Sequence, residues 1–384
     1  MSPIGILPVI GLWVCLLTVT YVYIGYPLTL LGWPWRSRVR RRSTAAVPRV
    51  TVVIAAFNEA AHIADTVRNK LAQDYPVDRL DVVVVSDGST DGTDDIVAAF
   101  NNPRVTLLRQ EPRQGKTIAL NRGVAAARGD IIVFSDANSR YDRSAVRRLV
   151  AAFEDPAVGY VTGRLIYDDP GATAIGGGSG LYMQYENWVR RLESRTGSIV
   201  GVNGGIDAVR RALYQPMRAD HLPDFVLPLR VVQQRRRVVY CEDAVSREEA
   251  LGRQEDEFRM RVRVSLRGLR TLFEMRPLLH PRYGLFAFQL LVHKVVRYLL
   301  ILPLIGALVF NALLLESPLY GALLGVQLAC YGLACAGWLS GGRIRFRVVF
   351  VPFYFCLLNL AAGAAFVGLL RGQRLVVWTP RKGA

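Results

Sequence analysis

Long apolar segments flank a more polar central region in this chain. Residues 4–33 carry no charged side chain and are long enough to cross a bilayer as a helix. After residue 277 the chain becomes apolar again, and three segments have the length of a crossing: 298–315, 318–339 and 348–370. Residues 283–297 mix basic with aliphatic side chains, which predicts an amphipathic helix in the membrane interface. The pattern predicts a multi-pass membrane protein.

Short apolar runs alternate with amphipathic stretches in the central region. Five runs are predicted to be strands: 50–56, 81–86, 105–109, 131–135 and 158–165. Residues 82–85 are four consecutive valines, which is typical of a strand buried on both faces of a parallel sheet. A helix is predicted over 58–73 with Asn58 as its N-cap, and GGGSG at 176–180 predicts a flexible joint. The alternation predicts a mostly parallel α/β sheet.

These patterns divide the chain into five parts. They are an N-terminal transmembrane helix (1–35), an α/β domain (46–272), interfacial amphipathic helices (273–297), C-terminal transmembrane segments (298–370) and a basic tail (371–384).

The formal net charge of +17 arises mainly from arginine. The basic runs mostly border apolar segments, which favours contact with anionic lipid over nucleic-acid binding. By the positive-inside rule, the run at 36–42 places the α/β domain in the cytoplasm and the N-terminus outside. The loop at 341–347 and the tail are also basic, and three later crossings cannot leave both inside. Either 348–370 is re-entrant or one crossing is miscounted.

Cysteine and histidine usage excludes two further classes of protein. The five cysteines form no CxxC pair, and four of them lie in apolar stretches, so the chain has neither a disulfide framework nor a zinc site. The four histidines are scattered, with no second ligand at metal spacing, and are interpreted as structural.

Polar residues follow the predicted strands. Asp87 opens the loop DGSTDGT after the valine run, and Lys116 follows a glycine at the start of a helix. Asp136 and Asn138 follow the apolar run 131–134. Ligands of open α/β sheets lie at the carboxyl ends of the strands. Acidic side chains there can accept hydrogen bonds from a nucleoside, a lysine can approach a diphosphate, and two oxygen ligands suit Mg²⁺ or Mn²⁺.

Each of these motifs also has a structural explanation. Asp87 and Asp136 could close polar turns, and Lys116 could be a solvated lysine. The phosphate-binding motif GxxxxGK[ST] is not satisfied, because residue 110 is not glycine, and no GxGxxG follows a strand. P-loop and dinucleotide-binding proteins are therefore excluded.

Four motifs, taken together, resemble those of family 2 glycosyltransferases in their order and spacing. They are VVIAAFNEA (52–60), SDGSTDGT (86–93), GKTIALNRG (115–123) and IIVFSDANS (131–139). The resemblance is to the membrane-embedded branch that includes cellulose, chitin, hyaluronan and poly-N-acetylglucosamine synthases, and it covers nearly the whole chain. It implies a nucleotide-sugar-binding GT-A-type, Rossmann-like α/β domain inserted between transmembrane helices.

The resemblance also implies roles for the donor-side residues. Ala56 and Glu59 would border the uridine pocket, Asp87 would contact the nucleoside, and Lys116 would approach the diphosphate. Asp136 would belong to the DxD-type motif that binds Mg²⁺ or Mn²⁺. Here the motif is Asp-Ala-Asn, so Asn138 replaces the second carboxylate and supplies an amide oxygen instead.

On the acceptor side, GVNGGIDAVRR (201–211) resembles the family's Gly-Gly segment. Gly204 and Gly205 would let the backbone approach a sugar closely; the alternative is a plain turn before a strand at 206–209. Asp224, in LPDFVLPLR, occupies the place of the family's general base and is preferred to Asp243 by motif position.

The family's QxxRW motif is the clearest departure. Arg263 takes the place of the arginine, but Met260 and Val264 stand where glutamine and tryptophan would be. Arg263 could still neutralise the leaving diphosphate. The alternative is an amphipathic helix whose arginines face anionic lipid.

The resemblance implies an inverting transfer from a nucleotide-sugar, predicted to be a UDP-sugar, to a growing surface polysaccharide. Single-sugar transfer to a membrane lipid is the alternative, and partner subunits for export are conceivable. A transporter is disfavoured by the large polar domain, and an inactive sugar-nucleotide sensor by the presence of Asp87, Asp136 and Asp224. The sugar, the linkage, the product length, the side of the C-terminus and the oligomeric state do not follow from the sequence.

Overall fold

A computed structural model describes residues 3–35, 47–168, 174–249, 254–341, 344 and 346–373. The basic run at 36–42 and the tail from residue 374 lie outside the described residues.

The described residues form eight strands and thirteen α-helices. The strands are β1 (Val50–Ala56), β2 (Leu80–Ser86), β3 (Val105–Arg109), β4 (Ile131–Asp136), β5 (Arg140–Tyr141), β6 (Val158–Asp168), β7 (Asp207–Arg210) and β8 (Arg237–Glu249). The helices of the α/β domain are α3 (Ile63–Leu71), α4 (Thr93–Ala98), α5 (Lys116–Ala126), α6 (Ala145–Ala151), α7 (Ala174–Thr196), α8 (Pro223–Gln233) and α9 (Gln254–Glu274). The remaining helices are α1 (Pro3–Thr20), α2 (Tyr26–Leu31), α10 (Leu285–Leu290), α11 (Ile301–Ala312), α12 (Pro318–Leu339) and α13 (Arg347–Leu370).

All eight strands join one sheet in the order β3-β2-β1-β4-β7-β6-β8-β5. The first four strands are parallel, as predicted, and every residue of β1 is buried. Beyond β4 the sheet becomes mixed, because β7 runs antiparallel to both β4 and β6. The carboxyl ends of β1, β2 and β4 therefore meet at one edge, and β7 begins at the same edge. The residues of the candidate active site lie at this edge.

Two local predictions are wrong. The helix predicted over 58–73 begins at Ile63, because Asn58 adopts a left-handed conformation with a φ of 52° and is not its N-cap. The glycine-rich stretch 176–180 is not a joint, because it lies within α7. Gly178 lies there against the Tyr354 ring, where an added Cβ would come within 2.9 Å of the ring, so the glycines let α13 pack closely on α7.

Three described helices are long and apolar enough to cross a membrane: Ile6–Leu31, α12 and α13. The predicted crossing at 298–315 is wrong as a single helix, because α11 has only 12 residues. It forms a pair with the segment Leu285–Val296, and the two are bent by 61°, as in a broken span or a re-entrant loop. A π-helix at Leu291–Val296 lies just before the bend.

Candidate active site

The loop after β1 and the loop after β2 are bonded to each other. The amide of Asp87 donates to the carbonyl of Ala56 at 2.8 Å, and the amide of Glu59 donates to Thr93 Oγ1 at 2.9 Å. Asn58 accepts from the amide of Thr90 at 2.8 Å, which explains why its side chain does not cap a helix. The two motifs thus form one structural unit at the sheet edge.

The Asp87 carboxylate organises the loop that leads to Lys116. It is 2% exposed and accepts hydrogen bonds from Gln110 Nε2 at 2.6 Å and from the amides of Gln114 and Gly115 at 2.8 Å. Arg113 in the same loop lies 3.4 Å from the centre of the Phe57 ring. The contact of Asp87 with a nucleoside remains a prediction.

Lys116 and Asp136 form an ion pair where α5 begins and β4 ends. Burial alone would lower the pKa of Lys116, but Asp136 and Asp224 outweigh burial and raise that pKa above its usual value. Lys116 therefore stays cationic, which agrees with its predicted role beside a diphosphate.

A buried lysine, Lys70, is bonded to the turn that follows Asp136. Lys70 is fully buried and donates to the carbonyl of Ser139 at 2.6 Å, with its ammonium 3.6 Å from the centre of the Tyr141 ring. Sequence reasoning missed Lys70, because a lysine on an amphipathic helix is normally exposed. Its position keeps the turn between β4 and β5 in a fixed shape.

Asp136 and Asn138 are suited to a divalent cation. Both residues are partly exposed on the turn, and their carboxylate and amide oxygens are hard ligands of the kind that Mg²⁺ and Mn²⁺ accept. The described residues contain no group of three or more His, Cys, Asp or Glu side chains able to hold a metal alone. The residues therefore fit a cation that takes its remaining ligands from phosphate and water.

The Gly-Gly segment brings the backbone against three carboxylates, those of Asp224, Asp136 and Glu248. A Cβ at Gly204 would lie 2.7 Å from Asp224 Cγ and closer still to Asp224 Oδ2. Gly205 has a φ of +88°, and a Cβ there would lie 3.4 Å from Asp136 Oδ2 and 2.8 Å from Glu248 Oε1. Only glycine fits at these points, so the backbone can lie directly against these side chains.

Asp224 lies in the first turn of α8 and lines the same cavity as Lys116 and Asp136. Burial raises the pKa of Asp224 above its usual value, and Lys116 opposes that rise. A carboxylate with a raised pKa is a stronger base than a solvated one. The alternative residue, Asp243, is exposed on β8 and is not among the residues that line this cavity.

Sequence reasoning missed one carboxylate in the cavity, Asp207. It begins β7, is 2% exposed, and accepts a hydrogen bond from the Tyr160 hydroxyl. The pattern GGIDAV favoured a plain strand, in which a lone aspartate carries no functional signal. The only hint was an acidic residue between aliphatic neighbours of a buried strand.

Arg267, one turn beyond Arg263 on α9, interacts electrostatically with Asp224. It is 7% exposed, donates to Thr117 Oγ1 at 3.0 Å and also bonds the carbonyl of His221. Burial lowers the pKa of Arg267 to about 10, while Asp224 opposes that shift. The charge of Arg263 acts on Arg267 and helps to lower its pKa, and the predicted place of Arg263 beside the diphosphate remains a prediction.

His221 is structural, as predicted for the histidines. Its Nε2 donates to Glu274 at 2.9 Å, while its Nδ1 accepts from the amide of Arg218 at 3.2 Å. Burial lowers the pKa of His221, which favours this neutral tautomer. The ring therefore joins the end of α9 to the loop that leads into α8 and Asp224.

Comparison with known proteins gives relatives for part of the chain. Residues 51–217 match the model of the family described as Glycosyl transferase family 2. The chain is 35% identical over 136 residues to a probable glycosyltransferase, YdaM, of Bacillus subtilis (strain 168), which is 34% of this chain and 31% of that protein.

Two other relatives have more specific names. Over 173 residues the chain is 31% identical to a beta-monoglucosyldiacylglycerol synthase of Synechocystis sp., covering 44% of this chain and 36% of that protein. Over 117 residues it is 34% identical to a poly-beta-1,6-N-acetyl-D-glucosamine synthase of Staphylococcus aureus, covering 30% and 28%. The chain thus spans about a third of the length of these curated relatives.

One solved structure is similar over almost the whole chain. The mannosyltransferase PcManGT from Pyrobaculum calidifontis, in complex with GDP-Man and Mn²⁺, superposes with a TM-score of 0.73 and 23% identity, covering 96% of this chain and 99% of that chain. The likeness confirms the predicted fold, a mixed α/β domain of GT-A type flanked by apolar helices.

Proposed function

We propose, on the premise that residues 51–217 belong to glycosyl transferase family 2, that this chain is an inverting glycosyltransferase acting at a membrane. It would take a sugar from a nucleotide-sugar and transfer it to an acceptor hydroxyl. The observation that carries the proposal is one cavity lined by the carboxylate of Asp224 together with the Lys116–Asp136 ion pair.

The arrangement suits a single displacement. Asp224 takes the proton of the acceptor hydroxyl as its oxygen bonds to the anomeric carbon, while the bond from that carbon to the diphosphate oxygen breaks. The electron pair leaves with the nucleoside diphosphate, next to Lys116. Attack from the face opposite the leaving group inverts the anomeric centre, so an α-linked donor gives a β-linked product.

A divalent cation belongs to this proposal as a cofactor. Asp136 and Asn138 would hold Mg²⁺ or Mn²⁺, which would neutralise negative charge on the diphosphate. The similar mannosyltransferase was solved with Mn²⁺ and GDP-Man. For this chain we expect a UDP-sugar as donor, and a test therefore needs both UDP- and GDP-sugars.

A growing surface polysaccharide is the proposed acceptor, in line with the poly-N-acetylglucosamine synthase among the relatives. A membrane lipid is the second candidate, and one observation favours it. The loop beside Asp224 contacts the bent pair of apolar helices, because a Cβ at Gly201 would lie 2.7 Å from Lys294 Nζ. An acceptor that enters from the membrane side would pass this contact.

The first test is replacement of the proposed base. We expect Asp224→Asn to reduce nucleotide release from the active donor by about 10²- to 10⁴-fold, the usual contribution of a general base. Donor binding should persist, because Asp224 faces the acceptor. Nucleotide release is measured with detergent-purified protein, Mn²⁺ and a panel of UDP- and GDP-sugars. The matched control is Asp243→Asn, which changes an exposed aspartate outside the cavity. Full transfer by Asp224→Asn with normal donor binding would contradict the proposal.

Sizing the product then separates the two acceptors. Long polymer from the wild-type protein supports polysaccharide synthesis, whereas one labelled glycolipid supports the lipid candidate.

A further inference from the structure

The mechanism above leaves one buried carboxyl group in the cavity unexplained. Asp207 lies two residues after Gly205, whose left-handed conformation precedes the strand that Asp207 begins. Besides the charged residues already described, the cavity wall contains apolar side chains such as Phe134, Met217 and Leu227. Burying a carboxyl group costs folding free energy unless its oxygens form hydrogen bonds.

Only one of the two oxygens of Asp207 is bonded. Oδ2 accepts from the Tyr160 hydroxyl, while Oδ1 is buried and has no hydrogen-bond partner among the described residues. Folded proteins leave few buried polar atoms unpaired, and those that remain call for an explanation. The unpaired oxygen belongs to a residue that lines the cavity, so a ligand there could supply the missing partner.

The position of Asp207 limits what that ligand can be. Asp224 and Asp136 both repel a charge on Asp207, and Lys116 attracts it, so Asp207 lies within the electrostatic reach of the base and of the diphosphate side. Between a base and a leaving diphosphate lies the sugar that is transferred. A sugar hydroxyl can both donate and accept a hydrogen bond, so it can pair with this carboxyl group in either protonation state.

We propose that Asp207 recognises a hydroxyl group of the transferred sugar and so helps to select the donor. This inference rests on the proposed function, since it requires a nucleotide-sugar in the cavity. Two other roles fit the contacts less well. A metal ligand would need further oxygens nearby, and Tyr160 already holds Oδ2; the base role belongs to Asp224, which lies beside the Gly204 backbone.

Binding measurements test the proposal without relying on turnover. Wild-type protein and Asp207→Ala are titrated calorimetrically, in detergent and Mn²⁺, with UDP, UDP-glucose, UDP-N-acetylglucosamine, GDP and GDP-mannose. We expect Asp207→Ala to weaken the preferred nucleotide-sugar by about tenfold or more, since one hydrogen bond to a buried polar group is lost. Affinity for the matching free nucleoside diphosphate should not change.

Two further variants control the experiment. Asp207→Asn keeps the shape and a hydrogen-bonding side chain, so it should retain more sugar-dependent affinity than Asp207→Ala. Asp95→Ala removes an exposed aspartate on α4, outside the cavity, and should change neither affinity.

Each outcome bears on a different claim. Equal weakening of the nucleoside diphosphate and the nucleotide-sugar would overturn the inference, because it would indicate a structural role for Asp207. Unchanged affinity for both ligands in Asp207→Ala would overturn it as well. If wild-type protein binds none of the five ligands, the proposed function itself is contradicted, and the inference with it.

Discussion

At the residue scale, Gly204 is the point where the backbone approaches the proposed base most closely. A methyl group at Gly204 would have to displace the Asp224 carboxylate, whose Cγ lies 2.7 Å from the position of an added Cβ. We expect Gly204→Ala to lower kcat by at least about tenfold, since a misplaced catalytic group costs one to two orders of magnitude. Nucleotide release by purified protein measures the change.

A matched glycine provides the control for this prediction. Gly197, at the end of α7, has open space where its Cβ would be, and its backbone does not require glycine. Gly197→Ala should retain wild-type turnover. If Gly204→Ala also retains it, Asp224 is not held against the backbone in the working enzyme.

The structure brings some of the residues that the motifs predict into one cavity, whereas the residues that sequence reasoning missed belong to no motif. Lys116, Asp136 and Asp224 line one cavity although up to 108 positions separate them along the chain. Asp207 lines the same cavity and Arg267 bonds Thr117. What distinguishes both residues is their burial, and burial follows from tertiary packing. A lone aspartate in a strand or one arginine among many gives no such signal.

At the element scale, α7 joins the sheet domain to the apolar helices through buried charge. Glu193 is fully buried and accepts from the Tyr26 hydroxyl at 2.5 Å, from His293 Nδ1 at 2.6 Å and from the amide of Val200 at 3.0 Å. These partners belong to the N-terminal helical segment, the π-helix and the loop before the Gly-Gly segment. One carboxylate thus fixes three parts of the fold.

We expect Glu193→Ala to destabilise the protein by about 3–5 kcal/mol, because it leaves several buried groups unpaired. The exposed pair of Arg191 with Glu242 lies on the same helix, and Arg191→Ala should cost no more than about 1 kcal/mol. Thermal unfolding of the detergent-solubilised chain compares the two variants. Equal midpoints would show that this buried network contributes no more than a surface ion pair.

Strands were predictable from the sequence where a run of apolar residues marks them. The predicted strands 50–56 and 105–109 match β1 and β3 at both ends. Strand β1 is buried throughout, as its continuous apolar side chains require, whereas β3 is partly exposed at the edge of the sheet. Helix starts were less predictable, since the left-handed conformation at Asn58 depends on contacts with the neighbouring loop. The bend of 61° before α11 likewise has no signature in an apolar sequence.

At the scale of the whole molecule, the packing of α13 bears on the membrane topology. Helix α13 runs beside α9 over its length: Arg261 bonds the Tyr354 hydroxyl at 2.8 Å, and Arg270 bonds the carbonyl of Gln373 at 2.9 Å. If α13 crossed the bilayer, α9 would enter it too, with exposed charges such as Arg259 and Glu255. Charged side chains in the hydrocarbon layer are strongly unfavourable.

The bent pair, in contrast, packs along the N-terminal helix. A Cβ at Gly306 would lie 2.8 Å from Cys15 Sγ, and one at Gly11 would lie 2.6 Å from the Phe310 ring. If the N-terminal helix, the bent pair and α12 cross while α13 stays on the cytoplasmic side, the basic segments 36–42, 341–347 and 371–384 are all inside. This arrangement removes the conflict that three later crossings create with the positive-inside rule.

We therefore expect the end of α13 to face the cytoplasm. In a chain without its five native cysteines, single cysteines at Glu316, Ser340 and Arg371 are treated in intact cells with a maleimide that cannot cross the membrane. Glu316→Cys should react in intact cells, whereas Ser340→Cys and Arg371→Cys should react only after permeabilisation. Reaction of Arg371→Cys in intact cells, with Ser340→Cys still protected, would show that α13 crosses. The charges of α9 would then need partners within the membrane, so the packing of α9 against α13 would have to change there.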